Sequence, residues 1–213
     1  MLGAVRAGVC RLVVSSIRGR PVGPHITRYT MYRRIAAVAE GLGIPNNRTT
    51  QVLSVSRSVA LCDVLGLGGA TITRADFPTF DLRCLAFDDD SFDALVADQV
   101  LEHVEADPSV PVRESFRVVR AGGLVVHTTC FVNPIHEEVD LFRFTPSALA
   151  MLFAPHGEVL EVGGWGNRMV WVVEALGLRF QPVPHDVRHP FHRLAVYEEP
   201  AWPVVTWVIA RKS

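Results

Sequence analysis

The stretch FDALVADQVLEHV, residues 92–104, decides the fold. Residues 94–97 form an unbroken apolar run that Asp98 and Gln99 follow at once. A short apolar run bounded by polar residues is typical of a strand buried on both faces, as in a parallel sheet covered by helices. We therefore take residues 92–97 as the central strand of an α/β domain.

On both sides of that strand, short apolar runs alternate with helical patterns. The apolar runs predict strands at 52–55, 71–73, 124–129, 158–162 and 204–210. Helical spacing predicts helices at about 25–42, 111–120 and 145–153. Gly122 and Gly123 are expected to end the second helix as a left-handed cap. This alternation predicts an α/β fold, a three-layer sandwich around a mostly parallel sheet.

Composition limits the classes of function. The chain has 213 residues, is 49% hydrophobic and carries a net charge of −1, which predicts a single domain and disfavours broad binding to duplex nucleic acid. We divide it into a helical cap segment, 1–50, and a core, 51–213. The longest apolar stretches are too short for a membrane span, and Arg6 and Arg11 interrupt the first one, so we expect neither stable membrane insertion nor a cleaved signal peptide. The four cysteines form no Cys-x-x-Cys pair, which favours reduced thiols in a cytoplasmic protein.

The loops after the strands carry the candidate binding groups, because ligands of parallel sheets bind at the carboxyl ends of the strands. Asp76 follows the strand at 71–73, and Asp98 with Gln99 follows the central strand. A carboxylate at such a position can accept hydrogen bonds from two neighbouring ribose hydroxyls.

Four motifs follow one another in the middle of the chain: FDDDSFD at 87–93, DQVLEHV at 98–104, Glu114 with RVV at 117–119, and the glycine pair at 122–123. In this order they resemble the motifs of class I S-adenosylmethionine-dependent methyltransferases. The resemblance covers residues 52–164 and implies a Rossmann-like sheet of seven strands. Later segments, HTTCF at 127–131, NPIH at 133–136 and FRFTP at 142–146, resemble a branch that methylates sugars and glycans, including the sugar O-methyltransferases of actinobacterial methylmannose polysaccharide synthesis.

The resemblance implies S-adenosylmethionine as the cofactor. It assigns cofactor contacts to Ser54, Ser56, Asp76, Leu82, Asp98 and Gln99. The first motif departs from the family, because SVSRSVA at 54–60 has serines and alanine where the family has an acid and glycines. The interval between Asp76 and Asp81 is also too short for the usual helix, so we expect a shortened loop around the adenine.

The acceptor side is predicted to lie in two loops, 131–145 and 181–203. His136 is the expected general base for a hydroxyl acceptor, because a histidine titrates near neutral pH. Glu137 and Asp140 are expected to orient it or to hold a sugar. No metal site is assigned, although the same side chains would suit magnesium. Stacking surfaces for a sugar ring are expected from Tyr29, Tyr32 and Trp165.

The function predicted from these features is methyl transfer to a hydroxyl of a sugar or glycan precursor, in the synthesis of methylated polysaccharides. One alternative is another small-molecule hydroxyl, such as a quinone-like phenol. A second is a catalytically silent binding domain, which the lost glycines would favour. A nicotinamide dehydrogenase is disfavoured, since the glycine cluster at 66–69 precedes a strand instead of following one. The expected partner is a small sugar or oligosaccharide, and the oligomeric state stays open, a homodimer included.

Overall fold

The computed structural model describes residues 2–213, with side chains from residue 6 onward. The helices are α1 (Leu2–Ile17), α2 (Ile26–Ala39), α3 (Val59–Val64), α4 (Ser109–Val118), α5 (Pro146–Phe153), α6 (Val170–Ala175) and α7 (Pro190–Val196). The strands are β1 (Val22–His25), β2 (Gln51–Val55), β3 (Thr71–Ala75), β4 (Phe92–Asp98), β5 (Val119–Cys130), β6 (Gly157–Trp165), β7 (Pro182–Pro184) and β8 (Val205–Lys212).

The central sheet has the strand order β3-β2-β4-β5-β8-β6. The first four strands are parallel, and β8 runs antiparallel to both β5 and β6. The predicted α/β fold with a mostly parallel sheet is confirmed. Within residues 2–213 this sheet contains six strands, not the seven expected, because residues 76–91 form turns and an isolated bridge instead of another edge strand. As expected, the interval from Asp76 to Asp81 contains no helix.

Helices cover both faces of the sheet, as the alternation along β4 shows. Ala94 and Val96 belong to the buried cluster on the side of α2, whereas Leu95 and Ala97 belong to the cluster on the other side, which includes Val112 of α4. The predicted three-layer sandwich is therefore present. The helix α2 contributes fully buried residues to the first cluster, so residues 26–39 form part of a sandwich layer and not only a cap.

Two local expectations are wrong. The helix α4 ends at Val118, and Gly122, at φ 79°, lies inside β5, so the glycine pair does not cap the helix. A Cβ on Gly123 would lie 2.6 Å from the carbonyl oxygen of Asp93, so this glycine lets β5 approach β4 closely. The stretch 181–203, expected to be a loop, contains β7 and α7. By contrast, Thr145 caps α5 as expected, because its hydroxyl accepts a hydrogen bond from the Ala148 amide at 3.1 Å.

The register of the parallel strands brings their carboxyl ends to one edge. Val55 lies opposite both Ala75 and Ala97, and Asp98 lies opposite Thr128. The loops after β2, β3, β4 and β5 therefore meet there. No helix among residues 2–213 is long and apolar enough to cross a bilayer.

Candidate active site

The turn after β2, residues 55–58, is called the first turn below. Ser56 and Arg57 have φ values of 48° and 66°, a left-handed conformation that costs an L-residue about 1–2 kcal/mol. Two main-chain donors hold it: the Ser56 amide bonds the Ala75 carbonyl at 3.0 Å, and the Arg57 amide bonds Asp76 Oδ1 at 2.7 Å. The turn that glycine would favour therefore forms here without glycine.

A cavity of about 530 Å³ lies beside the first turn. Its apolar wall is formed by Phe77, Phe80, Leu82, Val100, Val104 and Val139, and its polar lining includes Ser56, Arg57, Gln99, His103, Glu137 and Glu138. This volume is within the range of about 300–1,000 Å³ typical of small-ligand sites. An apolar wall for a base and polar groups near a tight main-chain turn fit the two chemically different ends of S-adenosylmethionine.

The predicted cofactor residues differ in their relation to this cavity. Ser56, Leu82 and Gln99 line it. Asp76 holds the first turn through the Arg57 amide. Ser54 is fully buried and does not line the cavity. The assignment of cofactor contacts to these residues stays a prediction.

Asp98 is held between α2 and β5. Arg28 Nε lies 2.9 Å and the Tyr32 hydroxyl 2.6 Å from Asp98 Oδ2, while the Thr128 hydroxyl donates to Oδ1. Burial, and then the negative charge of Asp98, raises the pKa of Tyr32. Because these donors occupy both carboxylate oxygens, Asp98 fixes α2 against the end of the sheet.

Gln99 continues the same edge in a left-handed conformation, with φ 57°. Its amide donates to the Thr128 carbonyl at 3.0 Å, and its side-chain Nε2 lies 3.3 Å from the Thr128 hydroxyl. These bonds fix the turn after β4 and leave the Gln99 side chain as part of the cavity lining.

Residues 131–145 are called the acceptor loop below, and Glu102 and His103 hold them in place. The Glu102 carbonyl accepts from the Leu141 amide at 2.9 Å, and His103 Nδ1 donates to the Val139 carbonyl. Glu102 is fully buried, and its Oε2 accepts from the Thr129 hydroxyl at 2.8 Å. Burial raises the pKa of Glu102. The sequence analysis missed this anchoring role, although both residues belong to the LEHV motif.

Asp140 is the centre of the acceptor loop, with a side chain only 1% exposed. Arg143 forms a two-pronged pair with it, with Nη2 2.6 Å from Oδ2 and Nη1 bonded to Oδ1. The His136 amide also donates to Oδ2 at 2.8 Å, and His136 Nδ1 lies 3.1 Å from the same oxygen. The Arg143 hydrogen bonds hold the pKa of Asp140 well below its usual range. Asp140 is therefore an anion at neutral pH, and its Oδ2 fixes the position of the His136 ring.

Two histidines meet beside the cavity, whose lining includes His103 but not His136. The rings of His103 and His136 are 4.9 Å apart and edge to face. Val139 O faces Nδ1 of His103, and Asp140 Oδ2 faces Nδ1 of His136, so a proton on Nδ1 of each ring leaves Nε2 with a lone pair. The Asn133 side-chain nitrogen also lies 3.0 Å from His136 Nδ1, where the charge of Asp140 favours a proton on Nδ1. His103 lines the cavity, and the sequence analysis did not assign it a catalytic role.

Metal-capable side chains also gather here. Among the described residues, two groups have donor atoms within 4.8 Å of one another: Glu102, Cys130 and His136, and His103, His136 and Asp140. Magnesium prefers six oxygen ligands, and Arg143 occupies both oxygens of Asp140, so these donors do not favour it. Burial raises the pKa of the Cys130 thiol to about 12, which keeps this sulfur protonated.

The predicted stacking residues lie elsewhere. Trp165 is fully buried in the core, so the expectation that it stacks on a sugar ring is wrong. Tyr29 and Tyr32 line a different cavity, of about 510 Å³, together with His185 and His192. Tyr29 is only 4% exposed and packs edge to face on His192.

Part of the chain is similar in sequence to known methyltransferases. Residues 43–127 match the family model described as a methyltransferase domain. Two ubiquinone biosynthesis O-methyltransferases of Pseudomonas fluorescens, strains SBW25 and Pf0-1, are each 30% identical over 103 residues, which is 44% of this chain and 43% of the relative. The chain thus matches less than half the length of these curated relatives.

Solved structures share the fold at low sequence identity. A putative S-adenosylmethionine-dependent methyltransferase from Listeria monocytogenes superposes with a TM-score of 0.56 at 10% identity, over 86% of this chain and 98% of the other. A putative sarcosine dimethylglycine methyltransferase from Galdieria sulphuraria gives 0.54 at 13% identity, over 86% of each chain. Phosphoethanolamine N-methyltransferase 2 of Haemonchus contortus, solved with S-adenosyl-L-methionine, gives 0.51 at 13% identity, over 84% of this chain and 52% of the other.

Proposed function

We propose, from the match of residues 43–127 to the methyltransferase-domain model, that this chain transfers the methyl group of S-adenosylmethionine to a hydroxyl oxygen. The observation that carries the proposal is the cavity at the carboxyl ends of the strands, whose lining includes the first turn and His103, with His136 packed against His103. Methylation of a hydroxyl requires a pocket for the methyl donor and, close to it, a group that accepts the hydroxyl proton.

S-adenosylmethionine supplies a methyl group already bonded to a good leaving group, its sulfonium sulfur. The chain has to bind and align the two reactants. Phe80 and Leu82 offer the apolar wall for an adenine ring, and the first turn and Gln99 offer polar groups for the opposite end of the cofactor. This arrangement supports a cofactor site despite the serine-for-glycine replacements.

His136 is the proposed general base, with Asp140 holding its Nδ1 so that Nε2 can accept the hydroxyl proton. His103, with the same tautomer and a position in the cavity lining, is a second candidate for the base. A positioned base contributes about 10²–10⁴-fold to such a transfer. Glu137 and Glu138 line the same cavity and are proposed to hold the acceptor.

A sugar or glycan-precursor hydroxyl is the proposed acceptor. The cavity rim carries Arg57, Glu105, Glu137 and Glu138, which can bond several hydroxyl groups at once. A phenolic acceptor is the second candidate, because the curated relatives are named for ubiquinone biosynthesis and the cavity also has an apolar wall.

The first test is a calorimetric titration with S-adenosylhomocysteine. We expect one-to-one binding in the micromolar range, weakened about tenfold in Phe80→Ala, because an aromatic stacking contact contributes roughly 0.5–1.5 kcal/mol beyond area burial. Phe180→Ala is the matched control, since Phe180 is 73% exposed and outside the cavity. A folded protein that does not bind would contradict the proposal and favour a silent domain.

The second test is a panel of acceptors with isotope-labelled methyl donor, comparing free sugars, short mannosides and catechols. We expect label on a sugar hydroxyl. Label confined to the catechols would replace the sugar proposal with the phenolic one.

A further inference from the structure

The charge of the chain is strongly divided along the sequence. Residues 1–39 contain seven arginines and no aspartate or glutamate, a net charge of +7. Residues 40–213 contain 14 basic and 22 acidic residues, a net charge of −8. The near-neutral total therefore conceals a basic segment, which forms α1, β1 and α2.

Three arginines of α1 and of the turn after it have no acidic partner among the described residues, whereas the others named here do. Arg20 pairs with Asp186 and Arg34 with Glu198, while Arg28 is held by Asp98 in the interior. Three further side chains, those of Arg6, Arg11 and Arg18, are exposed and form no ion pair with any described residue. Charge at this surface is thus available to an anionic partner.

Exposed apolar side chains accompany these arginines. Leu12 is 73% exposed and Val14 is 40% exposed on α1, and Val172 is 47% exposed on the neighbouring α6. A groove of about 600 Å³ runs between α1, α6 and α7, lined by Leu12, Val13, Met169, Val172, Leu176 and Leu194. Large exposed apolar patches are uncommon on soluble proteins and mark interaction surfaces.

We propose that the outer face of α1, with this groove, docks on an anionic lipid bilayer without crossing it. A helix that combines arginines with exposed leucine and valine suits the interface, where the apolar side chains enter the acyl boundary and the arginines meet the headgroup phosphates. Docking is independent of methyl transfer. Where the proposed function also holds, docking would favour hydroxyl acceptors that are attached to a lipid.

Two other occupants of this surface fit the observations less well. A second copy of the chain, related by twofold symmetry, would bring the unpaired arginines of both copies together. Duplex nucleic acid would use the arginines but leave Leu12 and Val172 exposed to water, since its backbone offers mainly phosphates. The bilayer alone satisfies both the charge and the apolar side chains.

The test uses the full chain and sedimentation with vesicles, in the absence of methyl donor. We expect binding to vesicles of phosphatidylcholine and phosphatidylglycerol in equal parts, little binding to pure phosphatidylcholine, and weaker binding at high salt. Arg11→Gln and Arg18→Gln should each weaken binding about fivefold, as expected for an arginine near an anionic surface. Arg48→Gln and Arg74→Gln, exposed outside the basic segment, are the matched controls and should bind normally.

The apolar contribution needs its own pair of variants. Leu12→Ser should weaken vesicle binding, whereas Met151→Ser, at a 78% exposed position on α5, should not. Both side chains are exposed, so the fold of each variant should be intact by circular dichroism. Each of four results would overturn the proposal. They are the absence of binding to the mixed vesicles, an equal effect of the control arginine variants, tighter binding to duplex DNA, and a dimer that buries α1. The assay contains no methyl donor, so the vesicle-binding result does not depend on whether the proposed methyl transfer occurs.

Discussion

The two walls of the candidate site are held in different ways. The first turn depends on main-chain amides: Ser56 bonds a carbonyl of the neighbouring strand, and Arg57 bonds the carboxylate that follows that strand. The acceptor loop depends on buried side chains, chiefly Glu102, Asp140 and Arg143. A wall held by main-chain hydrogen bonds tolerates changes of side chain, so the first turn keeps its geometry with serines in place of glycines. The acceptor loop depends instead on the identity of a few side chains.

The strongest test of this difference removes the histidines of the acceptor side. His136→Ala should lower kcat by about 10²–10⁴-fold, because the base that accepts the hydroxyl proton is lost. Binding of S-adenosylhomocysteine should not change. Methyl transfer to a verified acceptor and calorimetry measure the two properties separately.

His103→Ala, assayed in parallel, decides which of the two rings is the base, and exposed His185→Ala is the control. Full activity in both His136→Ala and His103→Ala would exclude a histidine base. A parallel loss of cofactor affinity would show that the two walls are not separable.

The second test concerns stability. Arg143→Met leaves the buried Asp140 carboxylate without its main partner, so we expect the free energy of unfolding to fall by about 3 kcal/mol, as for other broken buried pairs. Arg83→Met removes an exposed partner of Asp81 and should cost less than about 1 kcal/mol. Urea unfolding measures both, and equal losses would show that the acceptor loop is no more dependent on side chains than the surface is.

Acid should weaken the β1–α2 junction at His25 and the acceptor loop at Asp140 in different pH ranges. Burial, assisted by the charges of Arg28 and Arg179, lowers the pKa of His25 from 6.5 to about 4. The unfolded chain therefore binds a proton that the folded chain does not, and stability is lost as the pH falls from about 6.5 toward 4. The pKa of Asp140 is also lowered, but its ordinary value is near 4, so its contribution is present above about pH 4 and is lost only below that value.

The measurement is the free energy of unfolding at pH 7 and at pH 5. His25→Gln should remove about 1–2 kcal/mol of the decrease between these values. In His185→Gln, at an exposed position, the free energy of unfolding should decrease between pH 7 and pH 5 as much as in the parent protein. An unchanged decrease in His25→Gln would assign the acid sensitivity to another group.

The smallest effect is expected at the first turn. Ser56→Gly removes the cost of a left-handed conformation, so the free energy of unfolding should rise by up to about 1 kcal/mol. Ser56→Ala keeps that cost and loses only the hydroxyl, which makes it the matched control. A gain in the alanine variant equal to that in glycine would mean that the hydroxyl, and not the backbone, sets the stability of the turn.

Features with a short-range physical cause could be predicted from the sequence. The run at 94–97 is apolar because both faces of β4 are buried, and Thr145 caps α5 through a bond to a residue three positions away. The six strands of the sheet and the helices α2, α4 and α5 followed from the same local patterns. Such patterns can be recognised without knowing which distant segments pack against them.

The errors arose where distant segments decide the outcome. Gly123 resembles a helix cap until the Asp93 carbonyl, thirty residues earlier, is seen beside it. Trp165 ends a strand, and its burial depends on which elements pack over that end. The role of His103 likewise depends on the Val139 carbonyl, which the chain reaches only after another strand.

The division of charge has a practical consequence for handling the protein. A pI near 6.7 suggests weak adsorption to any charged matrix at neutral pH. Because +7 charges belong to residues 1–39 and −8 to the remainder, charges of opposite sign are concentrated in different segments of the chain. At low ionic strength it should be retained by both cation-exchange and anion-exchange resins, held in opposite orientations, and should elute from each with modest salt.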